Sequence, residues 1–358
     1  IPGMQVVVCG PAGAGKSNLV YNVLRQAKMK SIVSCCTEKT TIDSLIADGF
    51  DKLPAKYMTS RKKRRWAIIA AHLWARQASA GPRQWPFYQT PQRLGEVLAM
   101  AGIIWVVEDF HLVAEEERQK MLQVLKVFSD LSDMYKNPKL VVLGTGLAAL
   151  ELFYYDADMA NRIAEVNLPY MSKAEMGEII SRGEQLLNLS FSVKLRKALI
   201  RYANSLPGIM HELCFLLCMS KGAWKKRSRT VPLNETELLE MVDTWLSMHK
   251  FAGETIARAI DLPGSVNMRR LLELLAKTDQ NGLTVEAILH HGDFRDAHAT
   301  QLQSGLDALG KAGQPPLLLQ YSYSDAYSFA DPYMKAYALM FFERKKYADL
   351  LLTSCPSI

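Results

Sequence analysis

The chain has 358 residues, of which 49% are hydrophobic and 22% are charged. This length exceeds what one small core requires and predicts two or three domains with well-packed interiors. The sequence contains no low-complexity tract, which argues against a largely disordered protein. No apolar run reaches the roughly 18 residues that a membrane-spanning helix needs, so no membrane span is predicted.

The net charge and the cysteine pattern give only limited information about the partners and the cellular compartment of the protein. A formal net charge of +7 is compatible with nucleic-acid contact but does not establish it. The six cysteines form no CxxC pair and have no histidine partners at zinc spacing. Cys9 and Cys35 lie in apolar runs and are expected to be buried, where a thiol acts as a small hydrophobic group. Free thiols of this kind indicate a reducing, cytoplasmic setting.

Strand-like and helical patterns alternate in the first part of the chain. The strand-like runs occupy residues 5–9, 31–35, 103–107 and 140–143, and a turn or a helical pattern follows each of them. This alternation, with continuous rather than alternating apolarity, is typical of a parallel sheet covered by helices on both faces. The sequence therefore predicts an α/β fold here.

Consecutive helical patterns follow from about Met171. Ser172 and Glu175 form a capping box, Ser192 opens a second helix, and Pro207 precedes a third. Three further helical patterns and two short β-like runs have the outline of a winged-helix module; they lie at 266–277, 284–291, 296–311, 317–321 and 327–329. We therefore predict three domains: an α/β domain at 1–169, a helical lid at 170–250 and a winged-helix-like domain at 251–358.

Residues 10–17, with the sequence GPAGAGKS, match the P-loop pattern GxxxxGK[ST] at every fixed position. Glycines allow backbone N–H groups to curl around phosphates, and the following helix adds its dipole. Lys16 would reach the β- and γ-phosphates, and the hydroxyl of Ser17 would bind Mg²⁺. We expect ATP to be the nucleotide and its contacts to be Gly10, Pro11, Ala12, Gly13, Ala14, Gly15, Lys16, Ser17 and Asn18.

Two further apolar runs end in polar residues. Glu108 and Asp109 follow the run at 103–107; one acid would hold Mg²⁺ through water, and the other would orient the attacking water. Their position favours Glu108 for the metal and Asp109 for the water, whereas the alternative is a solvated strand end. Thr145 follows the run at 140–143 and is either a sensor of the γ-phosphate or an ordinary turn residue.

These motifs, in this order, resemble those of AAA+ ATPases. The segment around Arg162 resembles the part of that superfamily in which an arginine finger reaches a neighbouring subunit's nucleotide; the alternative is a local ion pair. Pro207 and His211 lie where the family keeps a second sensor. The C-terminal outline and the segment FADPY at 329–333 resemble the origin-recognition, archaeal-ATPase and STAND branches.

Two departures from the family pattern have implications for activity. The acids run Glu–Asp where most AAA+ proteins have Asp–Glu, which implies slow or regulated hydrolysis. His211 stands where the family often has arginine, which implies a weaker second sensor.

The densest basic run comprises Arg61, Lys62, Lys63, Arg64 and Arg65. Beside Trp66 it could bind phosphate backbones and stack a base, or it could be the solvated start of a helix. The recognition-like helix at 297–311 has few arginines for direct base readout. This composition favours a protein-interaction role for the C-terminal module.

The combined reading is a Mg²⁺-dependent AAA+/STAND-like ATPase that forms a homo-oligomer through nucleotide-bridged interfaces. It would act as a signalling or defence switch together with an effector or partner protein. One alternative is a DNA-associated loader or regulator of transposition or replication. The other is a nucleotide-binding interaction module that does not hydrolyse ATP.

Overall fold

The computed structural model describes residues 3–53, 89–135, 138–145, 159, 161–264, 266–278, 282–295, 297–313, 316–321 and 324–353. The chain divides into two compact units. One unit contains Ile1–Pro11 and Gly15–Pro169, and the other contains Ala12–Ala14 and Tyr170–Ile358. By its contacts, the short segment Ala12–Ala14 therefore belongs to the second unit.

Within the described residues, the first unit is built on a sheet of five parallel strands in the order β2-β3-β4-β1-β5. The strands are β1 (Gln5–Cys9), β2 (Lys30–Cys35), β3 (Ile103–Glu108), β4 (Leu140–Leu143) and β5 (Ile163–Asn167). The helices are α1 (Lys16–Gln26), α2 (Ile42–Asp51), α3 (Pro91–Ala101) and α4 (Glu115–Asp130).

Both faces of this sheet are covered by helices. Trp105 and Val107 of β3 pack with apolar side chains of α2, α3 and α4. The alternate residues Ile104 and Val106 pack on the other face with side chains of α1. The continuous apolarity of β3 thus serves two cores, and the α/β fold predicted from the sequence is confirmed.

Two details differ from the prediction. β5 was not recognised, because it pairs only with β1 at the edge of the sheet and Ile163 is its one buried residue. Cys9 is buried as expected, but the expected burial of Cys35 is wrong. Cys35 is exposed because it is the last residue of β2, next to the turn that leaves the sheet.

The chain connections place the loop after β1 at a switch point of the sheet. From β1 the chain crosses to β2 on one side, whereas from β4 it passes β1 to reach β5 on the other side. In open parallel sheets, connections that diverge in this way leave a crevice at the carboxyl ends of the strands, where ligands bind. The predicted P-loop begins at this edge.

The second unit begins with helices whose predicted caps are observed. The Ser172 hydroxyl accepts a hydrogen bond from the N–H of Glu175, and the Ser192 hydroxyl accepts one from the N–H of Leu195. The helices are α5 (Lys173–Leu187), α6 (Val193–Tyr202), α7 (Pro207–Ser220), α8 (Leu238–Met248) and α9 (Lys250–Ile260). Two short strands, β6 (Leu189–Phe191) and β7 (Val231–Leu233), pair with each other in parallel. In the sequence, β6 lies between α5 and α6, and β7 lies between α7 and α8.

The C-terminal part follows the predicted order of three helices and a hairpin, and a final helix that was not predicted comes after the hairpin. These elements are α10 (Met268–Lys277), α11 (Val285–Leu289), α12 (Ala299–Lys311), β8 (Leu318–Gln320), β9 (Tyr327–Phe329) and α13 (Pro332–Thr353). β8 and β9 pair antiparallel. The assignment of this part as a winged-helix module, and the division into three domains, stay predictions. No helix in the described ranges combines the length and apolarity needed to cross a membrane.

Candidate nucleotide-binding site

The loop after β1 has a backbone that only glycine adopts readily at three positions. Gly10, Gly13 and Gly15 have φ angles of +149°, +76° and +92°. At Gly10 a Cβ atom would also lie 2.6 Å from the carbonyl oxygen of Leu168. The spacing of these glycines therefore lets the chain turn sharply between β1 and α1.

The loop presents backbone donors. Among the described residues, the N–H groups of Gly13, Ala14, Gly15 and Lys16 have no hydrogen-bond acceptor. Gly15 is the N-cap of α1, so the positive end of the helix dipole lies at the same place. Free N–H groups at a helix N-terminus form a binding site for anions such as phosphate.

Lys16 supplies a positive charge to this loop. Its Nζ donates hydrogen bonds to the carbonyl oxygens of Gly10 at 2.9 Å and Pro11 at 3.0 Å. Burial lowers the pKa of Lys16, and the negative charge of Asp109 opposes that effect. The ammonium group is therefore partly withdrawn from water. Away from water its attraction to a phosphate is stronger, because the effective dielectric constant is lower.

Glu108 ends β3 and lies beside Cys35 of β2 in the strand register. Its Oε2 is 3.8 Å from the thiol Sγ, while its Oε1 is buried and has no hydrogen-bond partner among the described residues. On α1, burial and then the Glu108 carboxylate raise the pKa of Tyr21. A buried carboxylate oxygen without a partner fits a site for a hydrated Mg²⁺ ion, because Mg²⁺ prefers oxygen ligands.

Asp109 differs from its neighbour in both exposure and backbone. It is exposed, and its φ angle of +55° places it in the left-handed region. That conformation turns the chain out of β3 into the short 3-10 helix Phe110–Leu112. Non-glycine residues in sparsely populated backbone regions concentrate at functional sites, although aspartate tolerates this one comparatively well.

Thr145 lies at the same edge of the sheet as the loop after β1. The N–H of Gly144 donates to the carbonyl oxygen of Val8 at 3.0 Å, so the chain beyond β4 stays alongside β1. Thr145 follows directly and is partly exposed. Together with the register of β3 and β4, this places the threonine and the two acids at the carboxyl ends of adjacent strands.

The other predicted site residues are distributed over both units. Arg162 directly precedes β5 and forms an ion pair with Asp130 at the end of α4. Pro207 is the first residue of α7, and His211 is exposed in the same helix. Asn18 is exposed on α1. The basic residues Arg61, Lys62, Lys63, Arg64 and Arg65 lie outside the described residues.

Three residues that lie beside the site were not predicted from the sequence to do so. Tyr21 lies four residues after Ser17 on α1, and residues at this spacing share a helix face, so periodicity could have indicated it. Cys35 is adjacent to Glu108 only through strand pairing. Tyr333 contacts Gly13 within the second unit, and no local sequence signal predicts that contact.

The fold is similar to several solved ATPase structures at low sequence identity. A Walker-type ATPase of Pyrococcus abyssi is 15% identical, with 94% of this chain and 91% of that chain covered and a TM-score of 0.49. The ORC2 protein of Aeropyrum pernix, in ADPNP–ADP complexes, is 13% identical, with coverages of 98% and 89% and a TM-score of 0.47. The Holliday junction branch migration motor RuvB of Thermotoga maritima is 13% identical, with coverages of 97% and 87% and a TM-score of 0.39. No family model and no curated protein matches the sequence.

Proposed function

We propose that the chain is a Mg²⁺-dependent ATPase of the AAA+ type. The observation that carries this proposal is the loop after β1, which combines free N–H donors, a partly buried lysine and a helix N-terminus. This combination attracts a polyphosphate. The two acids at the end of the adjacent strand β3 add the negative groups that hydrolysis requires.

Each residue has a distinct role in the proposed reaction. Lys16 would bind the β- and γ-phosphates, and Ser17 and Glu108 would hold Mg²⁺, the latter through water. The metal would supply positive charge to the phosphate oxygens. Asp109 accepts a proton from water as that water attacks the γ-phosphorus, the bond to the bridging oxygen breaks, and ADP and phosphate result. Thr145 senses the γ-phosphate at the end of β4.

We further propose that the ATPase works as a homo-oligomer in which Arg162 of one subunit reaches the nucleotide of the next. A planar guanidinium that is always charged stabilises the charge that develops on the γ-phosphate. The biological role proposed for such an assembly is a signalling or defence switch in the cytoplasm, coupled to an effector protein. Pro207 and His211 would report the nucleotide state as a weak second sensor.

One observation favours a protein partner over direct readout of DNA. The helix α12, which would be the recognition helix of the predicted winged-helix module, has Lys311 as its only cation and no arginine. Base readout in the major groove relies most on arginine, with asparagine or glutamine. The DNA-associated alternative therefore depends on Arg61, Lys62, Lys63, Arg64 and Arg65 and predicts salt-dependent DNA binding that is lost when they are neutralised.

The proposal is tested by measuring ATP binding, phosphate release and particle mass on three proteins. They are the wild type, Lys16→Ala, and Lys39→Ala as a control that removes an exposed lysine from a turn. We expect binding, phosphate release and an ATP-dependent mass increase in the wild type and in Lys39→Ala, and their loss in Lys16→Ala. Equal ATP binding by all three proteins would overturn the assignment of the site. Tight binding without phosphate release would favour the non-hydrolysing module.

A further inference from the structure

We propose that Tyr333 is a positioning residue for the phosphate-binding loop, an inference that rests on the proposed function. Its ring is packed directly against Gly13. A Cβ atom at Gly13 would lie 2.8 Å from Cε2 of Tyr333, closer than real Cβ atoms approach other groups. Gly13 and Tyr333 both belong to the second unit, so this contact is internal to it.

Gly208, at the second position of α7, completes the contact. Its N–H donates a hydrogen bond of 3.1 Å to the carbonyl oxygen of Gly13. A Cβ atom at Gly208 would lie 2.6 Å from the hydroxyl oxygen of Tyr333. The side chain of Tyr333 therefore packs against both partners of this hydrogen bond.

The hydrogen bond between Gly208 and Gly13 also fixes the direction in which the N–H of Ala14 points. A trans peptide group is planar, and its C=O and N–H point in opposite directions. Because the Gly13 carbonyl points to Gly208, the N–H of the same peptide group, which belongs to Ala14, points away from Gly208. That N–H is one of the free donors of the loop. Holding the carbonyl in place thus keeps the Ala14 donor available to a phosphate.

The backbone of Tyr333 is held by hydrogen bonds, whereas its side chain borders a cavity. Its N–H donates to Oδ1 of Asp331 at 2.9 Å, and the preceding carbonyl of Pro332 accepts from Nδ2 of Asn204 at 3.1 Å. Its side chain also lines a cavity of about 330 Å³, together with Trp245 and Tyr337. The backbone of Tyr333 is fixed, whereas its ring has space into which it can be displaced from Gly13.

This geometry allows a test by steric displacement and rescue. In Gly208→Ala the new methyl group meets the Tyr333 hydroxyl, so the ring must move away from Gly13. In Gly208→Ala/Tyr333→Phe that hydroxyl is absent and the ring can return. We expect Gly208→Ala to weaken ATP binding and raise KM by about tenfold with a small change in kcat. The double variant should recover most of both.

A matched control exists in the same unit. A Cβ atom at Gly253 would lie 2.5 Å from the hydroxyl oxygen of Tyr337, an equivalent clash away from Gly13. Gly253→Ala and Gly253→Ala/Tyr337→Phe should change Tm in the same pattern of loss and rescue. They should leave the affinity for ATP at the wild-type value.

The measurements are the Kd of a fluorescent ATP analogue, KM and kcat for phosphate release, and Tm without nucleotide. Unchanged affinity in Gly208→Ala, or no rescue by the second substitution, would overturn the role of Tyr333. Tyr333→Leu removes the ring without adding atoms and provides the same comparison if Gly208→Ala does not fold; wild-type affinity in Tyr333→Leu would also overturn it. Absence of ATP binding by the wild type would instead refute the proposed function.

Discussion

The guanidinium of Arg162 forms an ion pair with the carboxylate of Asp130, between Nη1 and Oδ1. The two side chains are 40% and 58% exposed, respectively. An ion pair so open to water contributes little to stability, on the order of 0–1 kcal/mol. In the proposed oligomer, Arg162 can therefore leave Asp130 for the γ-phosphate of a neighbouring subunit's nucleotide at small cost.

Substitutions at Arg162 and Asp130 distinguish an arginine finger from a residue that forms only a local ion pair. We expect Arg162→Ala to lower the ATPase rate of the oligomer by roughly a thousandfold, because charge stabilisation in the transition state is lost. Asp130→Asn breaks the same pair but keeps the guanidinium, so its ATPase rate should stay near the wild-type value. Phosphate release measured above the assembly concentration checks both. Equal rates in Arg162→Ala and the wild type would contradict the finger.

The two acids should respond differently to neutral replacement. Glu108→Gln is expected to raise the Mg²⁺ concentration for half-maximal activity by roughly tenfold, because the carboxylate that would hold the metal loses its charge. Asp109→Asn should retain Mg²⁺–ATP binding but lower phosphate release by at least about a hundredfold. Titrating Mg²⁺ at fixed ATP, with phosphate release as the readout, separates the two effects. The reverse pattern would exchange the roles of the acids.

Trp105 joins β3 to β2 through a buried hydrogen bond. Its Nε1 donates to the hydroxyl of Ser34 at 2.9 Å, and both side chains are fully buried. Trp105→Phe leaves that hydroxyl without its donor and creates a void, so the free energy of unfolding should fall by about 2–3 kcal/mol. Trp224→Phe, at a side chain that is 69% exposed, is the control and should change it by less than about 0.5 kcal/mol. Urea denaturation of both variants measures the difference.

Glu117 links α4 to the start of α2. Its Oε2 accepts a hydrogen bond of 2.7 Å from the N–H of Ile42, and its Oε1 pairs with Lys120. The hydrogen bond from Lys120, followed by that from Ile42, lowers the pKa of Glu117 below its usual value of 4.5. We expect Glu117→Ala to lower the free energy of unfolding by about 1 kcal/mol near neutral pH.

The direction of its pH dependence follows from the lowered pKa. A carboxyl group whose pKa is lower in the folded state stabilises the fold above 4.5 and loses that contribution as the pH falls through the folded value. The difference in the free energy of unfolding between the wild type and Glu117→Ala should therefore become smaller in acid. Glu116→Ala, at an exposed neighbour, is the control and should change the free energy of unfolding by less than about 0.5 kcal/mol near neutral pH. A gap for Glu117→Ala that stays constant from neutral to acid pH would contradict the linkage.

Much of the first unit was predictable because its signals are local. The strands β1, β3 and β4 were recognised from continuous apolar runs, since strands in the interior of a parallel sheet are buried on both faces. In the second unit, the capping residues Ser172 and Ser192 were likewise recognised because a cap depends on only a few adjacent residues. β5 was missed because an edge strand with one buried residue has no apolar run.

The sequence by itself determined the backbone of the loop after β1, because the φ angles of Gly10, Gly13 and Gly15 and the position of Lys16 depend on residue type and spacing over a few residues. Only the tertiary structure decided which groups surround that loop. Strand pairing brought Cys35 to Glu108, and packing within the second unit brought Tyr333 to Gly13. Contacts between residues so distant along the chain depend on how whole elements pack, and no local pattern in the sequence specifies them.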